Sequence, residues 1–243
     1  MKTAAKILIA LFITVFGFSE ANAQWWGKRV KGNGNITTKT VNVGSYDGVR
    51  GVGSMDVHLE RGTEGTISVT TDDNIQEYVI IEVKDDILVV RLKKNSNVST
   101  RKGIHVTVPF ESISSVSLTG SGDVDTKDTI DSPEFTARVT GSGDVRLDIN
   151  TGKLDAKVTG SGDIMLRGKA VDTEIRVSGS GDFKGESLES DNTDVSVSGS
   201  GDARVTAYKS LRARVAGSGD IRYKGSPDTS DTKVSGSGSI KSM

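Results

Sequence analysis

Gly120-Ser121-Gly122-Asp123 returns from Gly141, Gly160, Gly179, Gly199 and Gly217, and as Gly-Ser-Gly-Ser from Gly236, at spacings of 21, 19, 19, 20, 18 and 19 residues. A near-constant period of this size marks a solenoid, in which each repeat forms one coil and buries its apolar face only against the next coil. The period therefore predicts an all-β chain built as a β-solenoid of the parallel β-helix kind.

Aligned on the first glycine, the copies alternate with period two on both sides of it, as a strand does. Two residues before it stand Leu118, Val139, Val158, Val177, Val197, Val215 and Val234, and four after it Val124, Val145, Ile164, Phe183, Ala203, Ile221 and Ile240. These columns share the parity of the glycines and are expected to face inward. A residue without Cβ on that side suits a bend or the close approach of another backbone. A phosphate-cradling glycine loop would open a helix instead, and these glycines lead into strands.

The opposite parity builds an outer face. Serine follows the first glycine in every copy, aspartate stands three after it from Asp123 to Asp220, and a base stands five after it at Arg146, Lys184, Arg204 and Arg222. Such columns suit contact with a glycan or an envelope protein. The candidate binding face is Ser142, Asp144, Arg146, Ser161, Asp163, Ser180, Asp182, Lys184, Ser200, Asp202, Arg204, Asp220 and Arg222.

Stacked in register, neighbouring aspartates lie ~4.8 Å apart, and their repulsion reaches ~3 to 4 kcal/mol at an effective dielectric near 20. The column needs compensation. The bases two residues on are expected to supply most of it, together with hydrogen bonds from the glycine bend. A bound cation is the other means. Its best place is Asp123, Asp125 and Asp128, where Asp125 replaces the usual base and Ca²⁺ is the candidate ion. No other cofactor is expected, and no residue is assigned a catalytic role.

The chain opens with Lys2 and Lys6, an apolar run from Ile7 to Phe18, and Ala21-Asn22-Ala23. This reads as a secretory signal peptide over 1–23, and the apolar run is short for a spanning helix, an uncleaved anchor being the alternative. An exported protein, periplasmic or at the cell surface, is expected, with no transmembrane segment after the signal. Cysteine is absent, which removes disulfides, thiolate metal sites and cysteine nucleophiles. A net charge of −1 argues against broad attraction to nucleic acid or an anionic membrane.

Residues 24–112 form an N-terminal β region and 113–243 the repeat solenoid, continuous with it. Gln24 to Arg29 reads as an exposed leader whose Trp25 and Trp26 pack loosely against the body, contact with a membrane interface or a partner being the alternative. Strands are expected at Ile36–Val43, Thr66–Thr71, Tyr78–Val83, Ile87–Leu92 and Ile104–Val108, and a short helical stretch at Asp72–Tyr78 with Asp72 as its cap. Val49 to Leu59 reads as a divergent first coil, Gly-x-Gly followed by Asp with one residue inserted. The basic stretch Arg91–Lys102 reads as a solvated hairpin or edge loop, contact with a polyanion being the alternative. His58 and His105, far apart in sequence, read as hydrogen-bonded strand residues rather than a metal or catalytic pair.

Gly32-Asn33-Gly34-Asn35, Tyr46-Asp47-Gly48-Val49 and Val52-Gly53-Ser54-Met55-Asp56-Val57, followed by the Gly-Ser-Gly-Asp coils, resemble the head GIN domain family of putative auto-transporter adhesins. The resemblance implies a β-helix-like fold and brings no catalytic residues. No translocating barrel follows the repeats, so it does not bring auto-transport. The reading is a non-enzymatic exported binding or scaffold protein. The alternatives are a carbohydrate-active lyase or hydrolase, for which the carboxylates are too nearly equivalent and no coil carries a large insertion to build a cleft, and a periplasmic structural protein that self-associates through an exposed edge.

Overall fold

The computed structural model describes residues 29–243; the expected signal peptide over 1–23 and the expected leader from Gln24 to Lys28 lie outside the described residues. Strand β13, Val145–Gly160, shows how one repeat makes one coil. Val145, Leu147, Ile149 and Thr151 are buried in alternation with outward residues, the parity changes at Gly152–Lys153, and Leu154, Ala156 and Val158 are buried beyond it. Each coil thus has two inward-facing runs. One corner lies at Gly152–Lys153 and the other is the Ser-Gly-Asp after Gly160.

The same coil is stacked along the chain as β10 (Ser115–Gly120), β11 (Val124–Thr126), β12 (Ile130–Gly141), β13, β14 (Ile164–Gly179), β15 (Phe183–Gly199), β16 (Ala203–Thr206), β17 (Ser210–Gly217), β18 (Ile221–Lys224), β19 (Thr229–Gly236) and β20 (Ile240–Ser242). All these pairings are parallel, and the first glycines stand in one file: Gly120 beside Gly141, then Gly160, Gly179, Gly199, Gly217 and Gly236. The expected β-solenoid is the fold. Its apolar columns are interior as read, Val139, Val158, Val177, Val145, Ile164 and Phe183 being at most 2% exposed. In the last coil the column opens, with Val234 42% exposed.

The N-terminal strands are β1 (Val30–Lys31), β2 (Ile36–Asn42), β3 (Gly48–Gly53), β4 (Asp56–Arg61), β5 (Thr66–Asp72), β6 (Val79–Lys84), β7 (Ile87–Leu92), β8 (Val98–Ser99) and β9 (His105–Phe110). Their spatial order departs from chain order. The coil β3–β4 lies between two others, with β7 and β9 parallel on one side and β10 and β11 parallel on the other. The coil β7–β9 is terminal, and antiparallel strands cover it: β6 on β7, β5 on β9 and β2 on β5.

Two sequence expectations change here. Gly53 aligns with Gly120, and Val57 with Val124, so Gly53-Ser54-Met55-Asp56 is a copy of the phrase at full register, with no inserted residue. Met55, 2% exposed, takes the place of the second glycine. The helical turn is a single 3-10 turn, Gln76–Tyr78, whose N-cap is Ile75, because Asp72 still belongs to β5. Among the described residues no helix is long and apolar enough to cross a membrane.

Candidate functional site

The Gly-Ser-Gly-Asp corner is built from backbone outward. Its first glycine has φ of +124° at Gly141 and +116° at Gly160, a region costly to residues with a side chain. The carbonyl of Gly120 accepts two N–H groups from the next coil, Ser142 at 2.8 Å and Gly143 at 3.0 Å, and the same fork continues to Gly217. The second glycine allows this approach. A Cβ on Gly143 would lie 1.8 Å from the carbonyl oxygen of Gly122.

Aspartate completes the corner. At the bend the strand ladder is interrupted, and the aspartate N–H needs another acceptor. The carboxylate of the preceding coil supplies it. Oδ1 of Asp56 accepts from Asp123 N, Asp123 from Asp144 N, Asp144 from Asp163 N, Asp163 from Asp182 N, Asp182 from Asp202 N, Asp202 from Asp220 N and Asp220 from Ser239 N, all between 2.8 and 3.1 Å. The second oxygens meet the bases. Arg146 bridges Asp123 at 3.3 Å and Asp144 at 2.5 Å, while Lys184 bridges Asp163 at 2.5 Å and Asp182 at 4.0 Å. Arg222 stands 4.0 Å from Asp220, but Arg204 turns to Glu186 at 3.7 Å and leaves Asp202.

These bonds shift two titrations. The hydrogen bond to Asp163 is the main reason the Lys184 ammonium holds its proton above the usual lysine range. The Ser239 hydroxyl and N–H draw the Asp220 carboxyl below the usual carboxylate range.

The three carboxylates expected to gather a cation face different partners. Asp123 serves Asp144 N and Arg146, Asp125 Oδ2 meets His58 Nδ1 at 2.8 Å, and Asp128 Oδ2 accepts from Arg61 N at 2.8 Å. Among the described residues no three His, Cys, Asp or Glu side chains converge as metal ligands.

The serine column has another character. Ser142, Ser161, Ser180 and Ser200 are exposed, as are Thr119, Thr140, Ser178 and Ser198 on the other side of the first glycine. Among the described residues none of these hydroxyls hydrogen-bonds to the protein. Buried hydroxyls of the repeat coils are engaged by contrast, Thr173 with Ser190 at 2.9 Å and Thr193 with the Thr206 carbonyl at 2.8 Å. The corner therefore presents a double file of free donors and acceptors along the solenoid.

The second face adds residues the sequence reading passed over. Five before the glycine stand Asp155, Glu174, Asp194 and Asp231; Asp155, Glu174 and Asp231 pair with cations of the neighbouring column, Arg138 to Asp155 at 2.8 Å and Arg176 to Asp155 at 3.5 Å, while Asp194 meets Arg212 of its own column at 3.8 Å. An open groove of about 420 Å³ crosses this face between Lys153, Asp172, Asn192 and Ser210 on one rim and Glu174, Asp194 and Arg212 on the other.

The two histidines, 47 residues apart, meet. His58 Nε2 lies 3.2 Å from His105 Nδ1 with the rings nearly parallel, His58 Nδ1 faces Asp125, and His105 Nε2 donates to the Lys102 carbonyl at 2.8 Å. The terminal coil also corrects the expectation that no coil carries a large insertion. Between β7 and β9, where other coils have Ser-Gly-Asp, it carries the loop 93–104, which β1 joins by pairing with β8.

A family model described as putative auto-transporter adhesin, head GIN domain, matches residues 45–227. No curated protein matches the chain. Among solved structures, a putative adhesin from Bacteroides fragilis is 24% identical with a TM-score of 0.84, over 88% of this chain and 100% of its own. A putative lipid binding protein and a putative adhesin, both from Parabacteroides distasonis, are each 26% identical, with TM-scores of 0.74 and 0.73, over 89% and 88% of this chain and all of theirs.

Proposed function

The chain belongs to the head GIN domain family of putative auto-transporter adhesins, and from that footing we propose that it is an exported, non-catalytic adhesin-like solenoid that binds a glycan or an envelope protein along its Gly-Ser-Gly-Asp edge. The observation that carries this is the contrast between the two kinds of outer column. The aspartates and bases are engaged with one another and with the backbone, whereas the flanking serines and threonines are exposed and without protein partners. A free, regularly spaced hydroxyl file is a recognition surface for a repetitive hydrogen-bonding partner. Within the original candidate face, Ser142, Ser161, Ser180 and Ser200 make the contact, and Asp144, Arg146, Asp163, Asp182, Lys184, Asp202, Arg204, Asp220 and Arg222 hold its shape.

The nearly equivalent surroundings of the aspartates favour binding over turnover, since acid–base catalysis on glycans needs carboxylates set apart by environment. The purified chain, screened on glycan and envelope-protein arrays with and without Ca²⁺, should bind at least one ligand, and Ser→Val changes at Ser142, Ser161, Ser180 and Ser200 together should abolish that binding without unfolding the coil. Absence of binding in both conditions, or binding indifferent to the four changes, overturns the reading.

A further inference from the structure

We propose that the loop at the capped end of the solenoid, with β1 beside it, is a docking surface for an anionic phospholipid membrane. The loop replaces the glycine corner in the terminal coil and carries Lys93, Lys94, Arg101 and Lys102, all exposed. Pairing of Val30 with Val98 and of Lys31 with Ser99 brings Lys31 and Arg29 to the same loop, and Arg29 bonds the Ser99 hydroxyl at 2.9 Å. Six cations from two distant stretches thus share one end of the molecule.

Their pairing sets them apart from the other cations. From Lys127 to Lys241, eleven of seventeen basic residues make an ion pair. Among the described residues none of the six does. Arg91, in β7 just before the loop, is already taken by Glu82 at 3.0 Å, and the Lys93 ammonium lies over the Tyr78 ring, 5.5 Å from its centroid. Asp73, beyond Gly32, is taken by the amides of Asn33 and Asn35. The net charge of −1 averages this end with an acidic remainder and conceals it.

The loop is also shaped in advance. Val30 N bonds Asn97 O and Gly32 N bonds Ser99 O, each at 2.8 Å; Gly103 N bonds Thr100 Oγ1 at 2.8 Å, and His105 holds the Lys102 carbonyl. Unpaired charge on a fixed platform binds a diffuse negative surface with little ordering cost.

A lipid surface, rather than a soluble polyanion, follows from what precedes Arg29. In sequence, Arg29 is directly preceded by Trp25-Trp26-Gly27-Lys28. Adjacent tryptophans with flanking bases are the composition of a membrane–water interface.

The test is co-sedimentation of the purified chain with phosphatidylcholine vesicles with and without phosphatidylglycerol. Binding is expected only with phosphatidylglycerol, weakening as salt rises, and reduced on the order of a hundredfold by Lys93→Glu, Lys94→Glu, Arg101→Glu and Lys102→Glu together. The control changes Lys153, Lys157, Arg167 and Lys233, unpaired cations elsewhere on the solenoid, to Glu and should retain tight binding. If the fourfold loop variant does not fold, the four glutamines replace the glutamates. Equal binding to neutral vesicles, equal loss in the control, or tighter binding to heparin than to the anionic vesicles overturns the proposal.

Discussion

The carboxylate oxygen Oδ1 of Asp144 accepts the backbone N–H of Asp163 from the next coil at 3.0 Å. A side chain therefore continues the hydrogen-bond ladder where the backbone turns away from it. Asp144→Ala should cost about 1 to 3 kcal/mol by leaving that donor unpaired, while Asp144→Asn, which keeps a carbonyl acceptor, should retain most of the stability. Denaturant unfolding of the two variants measures the difference, and equal losses would show that the charge rather than the acceptor matters.

The glycine file predicts a sharper effect. Gly143→Ala places a methyl 1.8 Å from the Gly122 carbonyl, whereas Gly44→Ala meets nothing within 4 Å. The first change should destabilise by about 3 kcal/mol or more, because the clash is with backbone that cannot rotate away. The second should be near neutral. Thermal melts of both distinguish close stacking from a general dislike of alanine in corners.

Stability should fall at both pH extremes for identifiable reasons. Asp220 has a lowered pKa because the Ser239 hydroxyl and N–H favour its charged form; its contribution is present above the ordinary aspartate pKa of about 3.9 and is lost as pH falls through the lower folded value. Lys184 has a raised pKa, chiefly from the hydrogen bond to Asp163. Its contribution is present below the ordinary lysine value of about 10.4 and is lost as pH rises through the higher folded value. Ser239→Ala should move the Asp220 titration back toward the ordinary range, as read from its carboxyl carbon by NMR.

His58 and His105 couple three coils, since His58 also holds Asp125. Replacing either by alanine should cost about 1 to 2 kcal/mol. The double replacement should fall short of the sum by at least about 0.5 kcal/mol, because both single changes break the same link. Strict additivity in that cycle would mean the two rings act separately.

The corner, the buried columns and the outer Asp and Arg files were legible because a period-two pattern, once aligned on a glycine, assigns every residue a side. The same alignment misplaced Gly53, since Met55 hides the second glycine of that copy. The acidic column of Asp155 and Glu174 is not legible in the same way, because it holds Thr136 and Arg212 in other copies and so shows no constant residue type. The meeting of His58 with His105, and the joining of Arg29 and Lys31 to the basic loop, depend on a coil order that differs from chain order. No local pattern carries that information.

The placement of β3–β4 between β7–β9 and β10–β11 also has a temporal meaning. During synthesis the N-terminal strands emerge first, yet the inner coil gains its second neighbour only when Asp123, 67 residues beyond Asp56, has been made. By then β7 and β9 can already cover the other side. Each later repeat finds a finished edge of its own shape to add to, so the molecule can grow by templated addition in one direction, from a closed start toward its C-terminal coil.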